Sequence, residues 1–470
     1  MQKVGIRMKT LSVKEITMAV SGELVKGSSE RIIENVVTHP NDLAYDTLLF
    51  DLDSQSHFHT NVFRDHPLTV VVTENAHLFM GKNHVTVIQV KNVKEAFQRF
   101  IRFYRQLWDI PVVGVTGTCG KTTVKEMIAH ILSKSMQVVY TDKSKNSLER
   151  NLRYLLRIDE KIDAAVLEMG VACPDDLIQS CNYFQPDIGI ITTIGTDHLE
   201  HCGSQDNYVQ EKAKLLKGMK NRGFLILNAD NEYINKMNLR NFSGKIIYFG
   251  FNRKADFRAK DITYSEYGMK FTLLAYGQSY RVYVPGFGEH NVRNALAAIA
   301  ASHIIGIRIA EAVKRIGSFR HVESHLEMMK GYNGSMILDD TWSANPTSAE
   351  AALDVIKQIA NGRRTVVVFG EMALLGEYSH IKHREVGKQI QTNHIHDLIT
   401  IDKASDTIAS RAIELGMNPR NVYRCESMQE FTRAFLPLLH ANTVVLLKTS
   451  MLDPRTQYIK QIATRGKSSI

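Results

Sequence analysis

Val112-Val-Gly-Val-Thr-Gly-Thr-Cys-Gly-Lys-Thr-Thr-Val-Lys-Glu-Met-Ile-Ala-His-Ile-Leu132 is an apolar run, a glycine turn and an amphipathic stretch in succession. The apolar run reads as a buried strand and residues 124–132 as a helix. A glycine turn between the two exposes backbone N–H groups at the positive end of the helix dipole, which stabilises an anion there. Gly117 and Gly120 permit the tight path. Lys121 adds a point charge for outer phosphates and Thr122 offers a hydroxyl to Mg²⁺. The spacing is a variant, because the first glycine of the general phosphate loop falls on Val115; the stretch reads T-G-T-x-G-K-T-T, with Thr118 and Thr123 completing it. ATP is the expected ligand.

Working outward, strands are expected at 164–168, 188–193 and 223–228, with helical patterns between them. This alternation implies right-handed βαβ units and a mostly parallel sheet. Residues 244–285 read as antiparallel strands added at an edge, and 291–305 as an alanine-rich helix. Upstream, strand candidates at 48–52 and 68–73 and a helix over 93–107 make a small mixed domain. Beyond 319 the alternation restarts, with strands at 336–339, 365–369, 398–401 and 443–447 and helices such as 348–359. The fold expected is α/β in three domains. Residues 1–107 form a small mixed N-terminal substrate-binding domain, 108–318 a central P-loop ATPase-type domain, and 319–470 a C-terminal Rossmann-like ligase domain.

A chain of 470 residues, 44% of them hydrophobic, exceeds what one core supports. The net charge of +9 reads as a spread lysine and arginine excess, since no dense basic run appears and no nucleic-acid partner is expected. Five cysteines, an odd number with no C-x-x-C pair, fit reduced thiols in a cytoplasm rather than a disulfide framework. No apolar segment of about 20 residues is present, so no membrane span is expected. A monomer acting on small-molecule substrates is the simplest expectation.

Other polar positions add chemistry. Glu168 ends the strand 164–168, in the crevice where α/β sheets bind ligands, and an oxygen donor there suits Mg²⁺. His198, in Thr196-Asp-His-Leu-Glu-His201, follows a strand end and suits metal binding or proton transfer; His201 lies three residues on, without the third ligand of a zinc site. Lys212, in Glu211-Lys-Ala-Lys-Leu-Leu-Lys217, reads by itself as part of a solvated helical face. Cys119 reads as a small filler in the loop.

These motifs stand in one order with Leu167-Glu-Met-Gly170, Gly288-Glu-His-Asn-Val-Arg-Asn294, Leu338-Asp-Asp-Thr-Trp-Ser-Ala-Asn-Pro346 and Phe369-Gly-Glu-Met-Ala-Leu-Leu-Gly-Glu377. Together they resemble the Mur ligase family, which makes amide bonds in peptidoglycan precursors, and most of all its member that adds D-alanyl-D-alanine to a UDP-N-acetylmuramoyl-tripeptide. The resemblance implies an ATP- and Mg²⁺-dependent ligase. A carboxylate precursor, in that member UDP-linked, becomes an acyl phosphate that an amine or dipeptide attacks. It further implies Lys121 on the transferring phosphoryl group and Thr122, Glu168 and His198 on Mg²⁺. Lys212 would be a carbamate, Asn291 and Asn294 adenine-side contacts, and Asp340 a ribose contact.

Departures gather on the substrate side. Thr38-His-Pro40 replaces a D-S-R motif, and Asn146-Ser-Leu-Glu-Arg-Asn151 an N-N-x-I-G-V-P segment. His325 stands where an arginine is expected, and Lys448-Thr-Ser-Met451 where K-G-S-R is. Two other classes share the loop: an amide ligase for a different acid and amine pair, and a nucleotide-dependent switch or binding protein.

Overall fold

The computed structural model describes residues 6–52, 63, 69–171 and 173–467. It divides into two compact units: Met1–Gly114, Ser135–Gly170 and Leu177–Asp187 in the first, and Val115–Lys134, Val171–Asp176 and Ile188–Ile470 in the second.

The first unit holds a six-stranded sheet of β1 (Ile6–Ser12), β2 (Glu23–Lys26), β3 (Ile32–Val37), β4 (Thr47–Phe50), β5 (Val70–Thr73) and β6 (Thr86–Gln89), in the order β1-β3-β4-β5-β6-β2. β3 to β6 run parallel, and β1 and β2 close the edges antiparallel. Every residue of β4 and β5 is buried, as interior parallel strands require. Leu68, expected to open β5, lies outside the described residues. Helix Val93–Gln106 is capped by Asn92, which accepts from the Glu95 N–H. Its buried face packs on the sheet, Phe100 lying 5.4 Å from Phe50 between ring centroids. β7 (Val112–Thr116) runs on from this unit into the second, and β8 (Val138–Tyr140) and β9 (Ala164–Glu168) pair in parallel within the first.

In the second unit β10 (Ile188–Ile191), β11 (Phe224–Asn228), β12 (Lys245–Gly250) and β13 (Phe257–Ser265) run parallel, and β13, β14 (Gly268–Ala275) and β15 (Gln278–Pro285) antiparallel. The expectation that 244–285 is wholly antiparallel is therefore corrected: β12 is parallel to both neighbours. Its alternation of exposed and buried residues reports one covered face, which says nothing of strand direction. Helix Glu289–Ile304 is buried along most of its length, and its alanines let it lie close to helix Lys121–Leu132.

The third sheet, also in the second unit, comprises β16 (Glu327–Lys330), β17 (Met336–Asp339), β18 (Arg364–Phe369), β19 (Asp397–Thr400), β20 (Val422–Arg424) and β21 (Thr443–Lys448). Its order is β16-β17-β21-β18-β19-β20, parallel except for β16. Apolar clusters around Leu353, Phe369 and Leu446 and around Val368, Phe431 and Ile459 form its core. Adjacent β17 and β21 bring Asp340 and Lys448 to one end of the sheet.

Candidate active site

The turn after β7 is tied to the segment after β10 through backbone and hydroxyl bonds. The Thr118 N–H donates to the Thr193 carbonyl at 2.6 Å, and the Thr192 hydroxyl donates to the Cys119 carbonyl at 2.6 Å. Gly117 has φ +143°, and a Cβ there would stand 2.1 Å from Thr192 Oγ1, so only glycine fits. Helix Lys121–Leu132 begins three residues earlier than expected, with left-handed Gly120 as its cap, so Lys121, Thr122 and Thr123 occupy its first turn. Lys121 Nζ donates to the Thr118 carbonyl at 2.9 Å. Asn294 lies against the loop, its Oδ1 2.4 Å from the Cβ position of Gly120. Asn291 Nδ2 donates to the Pro285 carbonyl at 2.7 Å, while its Oδ1 is buried without a partner.

Lys212 corrects the reading of its helix as a solvated face: it is 1% exposed, on helix Gln205–Gly218. Its ammonium sits 5.1 Å from the centroid of the Tyr208 ring. Burial, reinforced by Lys121, lowers its pKa to about 7, against the pull of Asp197. The repeated lysines and Glu211 hid this, since Lys214 on the same helix is the one that pairs, with Asp175 and Glu211. Tyr208, which carried no signal in the sequence, shares a hydroxyl contact of 3.0 Å with Thr118 Oγ1 and so links the lysine helix to the loop.

His198 adopts a left-handed backbone, φ +52°, just before helix Leu199–Cys202. Burial lowers its pKa, against the effect of Asp197. Its Nδ1 is buried with no partner, the state a neutral imidazole offers a cation or a cation-bound water. Among the described residues no three His, Cys, Asp or Glu side chains converge on a metal. A Mg²⁺ held with phosphate oxygens and waters needs no such cage, so the donor set fits that ion. Desolvation pushes the Cys119 thiol up to about 11, in keeping with a filler.

The C-terminal sheet meets the loop through Asn345. This residue caps helix Pro346–Ala360, donates from Nδ2 to Asp197 Oδ2 at 3.2 Å and accepts from the Cys119 thiol at 3.6 Å. The Thr196 N–H donates to Thr347 Oγ1 at 3.0 Å. A second helix N-terminus thus stands beside the phosphate loop, adding to its pull on anions. Asn345 was legible as part of the Asp339-Asp-Thr-Trp-Ser-Ala-Asn345 motif but without a role.

Asp340 pairs with Lys448 at 2.6 Å, and Lys448 also donates to the Ser343 carbonyl at 2.7 Å. The Lys448 side chain is 1% exposed and that of Asp340 12%. Lys448→Met leaves the carboxylate with its charge uncompensated, and the expected cost is about 3–5 kcal/mol of unfolding free energy. Adding Asp340→Asn should recover much of it; denaturant titration of the two variants checks both expectations. His325, at the expected arginine position, stacks on Trp342 with centroids 5.5 Å apart and 22° between planes, and its Nδ1 lies 2.8 Å from the Glu323 carbonyl.

Glu168 belongs to the first unit. It is buried; its Oε1 accepts from Asn146 Nδ2 at 2.6 Å, its N–H donates to Thr141 Oγ1 at 3.0 Å and its carbonyl accepts from Asn151 Nδ2 at 2.8 Å. The altered segment 146–151 therefore orients this acid. In the other altered segment, His39 Nδ1 accepts from the Asn41 N–H at 3.2 Å and caps the turn Pro40–Asp42.

Residues 115–302 match the Mur ligase middle domain, and 326–451 the Mur ligase glutamate ligase domain. The UDP-N-acetylmuramoyl-tripeptide–D-alanyl-D-alanine ligase of Escherichia coli K12 is 31% identical over 323 residues, 68% of this chain and 71% of that protein. The enzyme of the same name from Bacillus subtilis is 28% identical, over 86% of this chain and 88% of that protein. A crystal structure of MurF from Acinetobacter baumannii superposes with TM-score 0.84 at 21% identity, over 97% of this chain and 99% of that one. MurF from Thermotoga maritima in complex with ADP superposes with TM-score 0.77 at 18% identity, over 90% of this chain and 96% of that one.

Proposed function

The chain belongs to the Mur ligase family of ATP-dependent ligases, and from that premise we propose that it joins D-alanyl-D-alanine to a UDP-N-acetylmuramoyl-tripeptide. The observation that carries this reading is the constellation of Lys121, His198 and buried Lys212 about one phosphate loop, in a chain whose relatives bear that activity in their names. The tripeptide carboxylate attacks the γ-phosphorus of ATP, ADP leaves, and the acyl phosphate forms. The dipeptide amine then attacks the acyl carbon, and phosphate departs with the carboxylate oxygen.

The chain's own contribution is mostly positional and electrostatic. The loop N–H groups and the start of helix Lys121–Leu132 hold the phosphates, and Lys121 turns from the Thr118 carbonyl to the charge of the transferring group. Thr122 and His198, together with Glu168 on the family's pattern, would hold Mg²⁺, which would neutralise phosphate charge when bound. Neutral Lys212 takes up CO₂ to become a carbamate, an anion suited to that cation. Asn294 and the unpartnered Oδ1 of Asn291 serve the adenine, and Asp340 the ribose after exchanging Lys448. His325 takes the arginine's place; stacked on Trp342 it offers a flat face rather than a guanidinium fork. The chain acts as a monomer in the cytoplasm, and no helix among the described residues is long and apolar enough to cross a membrane.

Incubation with ATP, Mg²⁺, the UDP-linked tripeptide and D-alanyl-D-alanine, followed by product mass, tests the proposal. A mass equal to both substrates less one water is expected. ADP release without that product, over a panel of tripeptides and dipeptides, would overturn it.

A further inference from the structure

A cavity of about 400 Å³ lies at the β12–β15 edge of the second unit, lined by Arg253, Asp256, Arg258, Tyr276, Gln278 and Ser279 among others. Its floor follows from register. Arg258 on β13 faces Leu274 on β14, which faces Ser279 on β15, so the three form one cross-strand row. Two arginines enter the same space, and neither has an ion-pair partner among the described residues. Arg258 Nε is buried with no acceptor, a costly state for a charged donor. The one carboxylate lining the cavity, Asp256, accepts from the Tyr248 N–H at 2.8 Å. At the rim, Tyr276 and Gly277 make a two-residue hairpin turn with φ +49° and +74°. A tyrosine held left-handed is strained, and its ring is pinned edge-on to Phe257 at 5.7 Å, with His303 at 5.4 Å.

We infer that this cavity binds the phosphate or pyrophosphate group of a small molecule, at a site separate from the phosphate loop. Guanidinium forks match phosphate oxygens two at a time. Gln278 and Ser279 add polar groups, and the volume lies within the range of about 300–1,000 Å³ typical of small-ligand pockets. A small ligand is favoured over a lipid surface because the two arginines line a recess of about 400 Å³.

The test uses the full chain carrying Lys121→Ala, which weakens the phosphate loop, and titrates inorganic pyrophosphate by calorimetry. Saturable binding is expected to persist. Adding Arg253→Gln or Arg258→Gln should weaken it at least about tenfold. Arg253 is exposed, so its variant keeps the test usable if the Arg258 variant misfolds. In the otherwise native chain, Arg253→Gln should leave ATP turnover unchanged. Pyrophosphate binding abolished by Lys121→Ala alone, or indifferent to Arg253→Gln, would overturn the inference. So would Arg253-dependent sedimentation with phosphatidylglycerol vesicles in the absence of pyrophosphate binding.

Discussion

Lys121→Ala is expected to lower the rate of amide synthesis by at least about 100-fold. The lysine ammonium, on a flexible stem at the start of the helix, donates to the Thr118 carbonyl at 2.9 Å. Charge spreads over the transferring phosphoryl oxygens in the transition state, and a preorganised cation aimed there acts mainly on kcat. The loop's shape does not depend on the lysine, because the Thr118, Cys119, Thr192 and Thr193 bonds hold it. Thermal stability should therefore change little. A parallel rise in KM for the acid with kcat unchanged would place the lysine in ground-state binding instead.

Lys212→Ala is expected to cost about 10–100-fold or more, the range seen when groups supporting a metal are removed. At an ordinary lysine pKa only about one amine in 2,500 is neutral near pH 7. The buried position, with a pKa of about 7, makes roughly half neutral there, and CO₂ reacts only with the neutral amine. The two roles open to the residue predict opposite rescues of the alanine variant. If Lys212 acts as a carbamate, acetate or formate should restore part of the rate and methylamine none. Rescue by methylamine alone would make it an ammonium. Stripping CO₂ from the native enzyme should also slow it, and bicarbonate should restore it.

Much of the fold was legible where burial on both faces wrote itself as unbroken apolar runs: Thr47–Phe50, Val112–Thr116, Ala164–Glu168 and Ile188–Ile191 all appear as strands. Several edge strands were not. Ile6–Ser12 carries Arg7, Lys9 and Thr10 on a half-covered strand, and Glu327–Lys330 is charged at both ends. Lys245–Gly250 was found but given the wrong direction, since side-chain alternation is blind to it. Glycine and lysine chemistry marked out the strand-to-helix turn, and strand-end position drew attention to Glu168 and His198. The burial of Lys212 was invisible, because burial depends on Tyr208 and on neighbours brought together by the fold. The Asn345 bridge was hidden for the same reason: its partners, Cys119 and Asp197, lie 226 and 148 residues away.

The central claim is that the carboxylate is activated by phosphoryl transfer before the amine arrives. Supplying the acid substrate with isotopically labelled carboxylate oxygen and weighing the released phosphate tests it most directly. One labelled oxygen in the phosphate for each amide formed is the predicted result. Amide formed with unlabelled phosphate, or ATP split to ADP with no label transferred under any acid and amine supplied, would contradict the account.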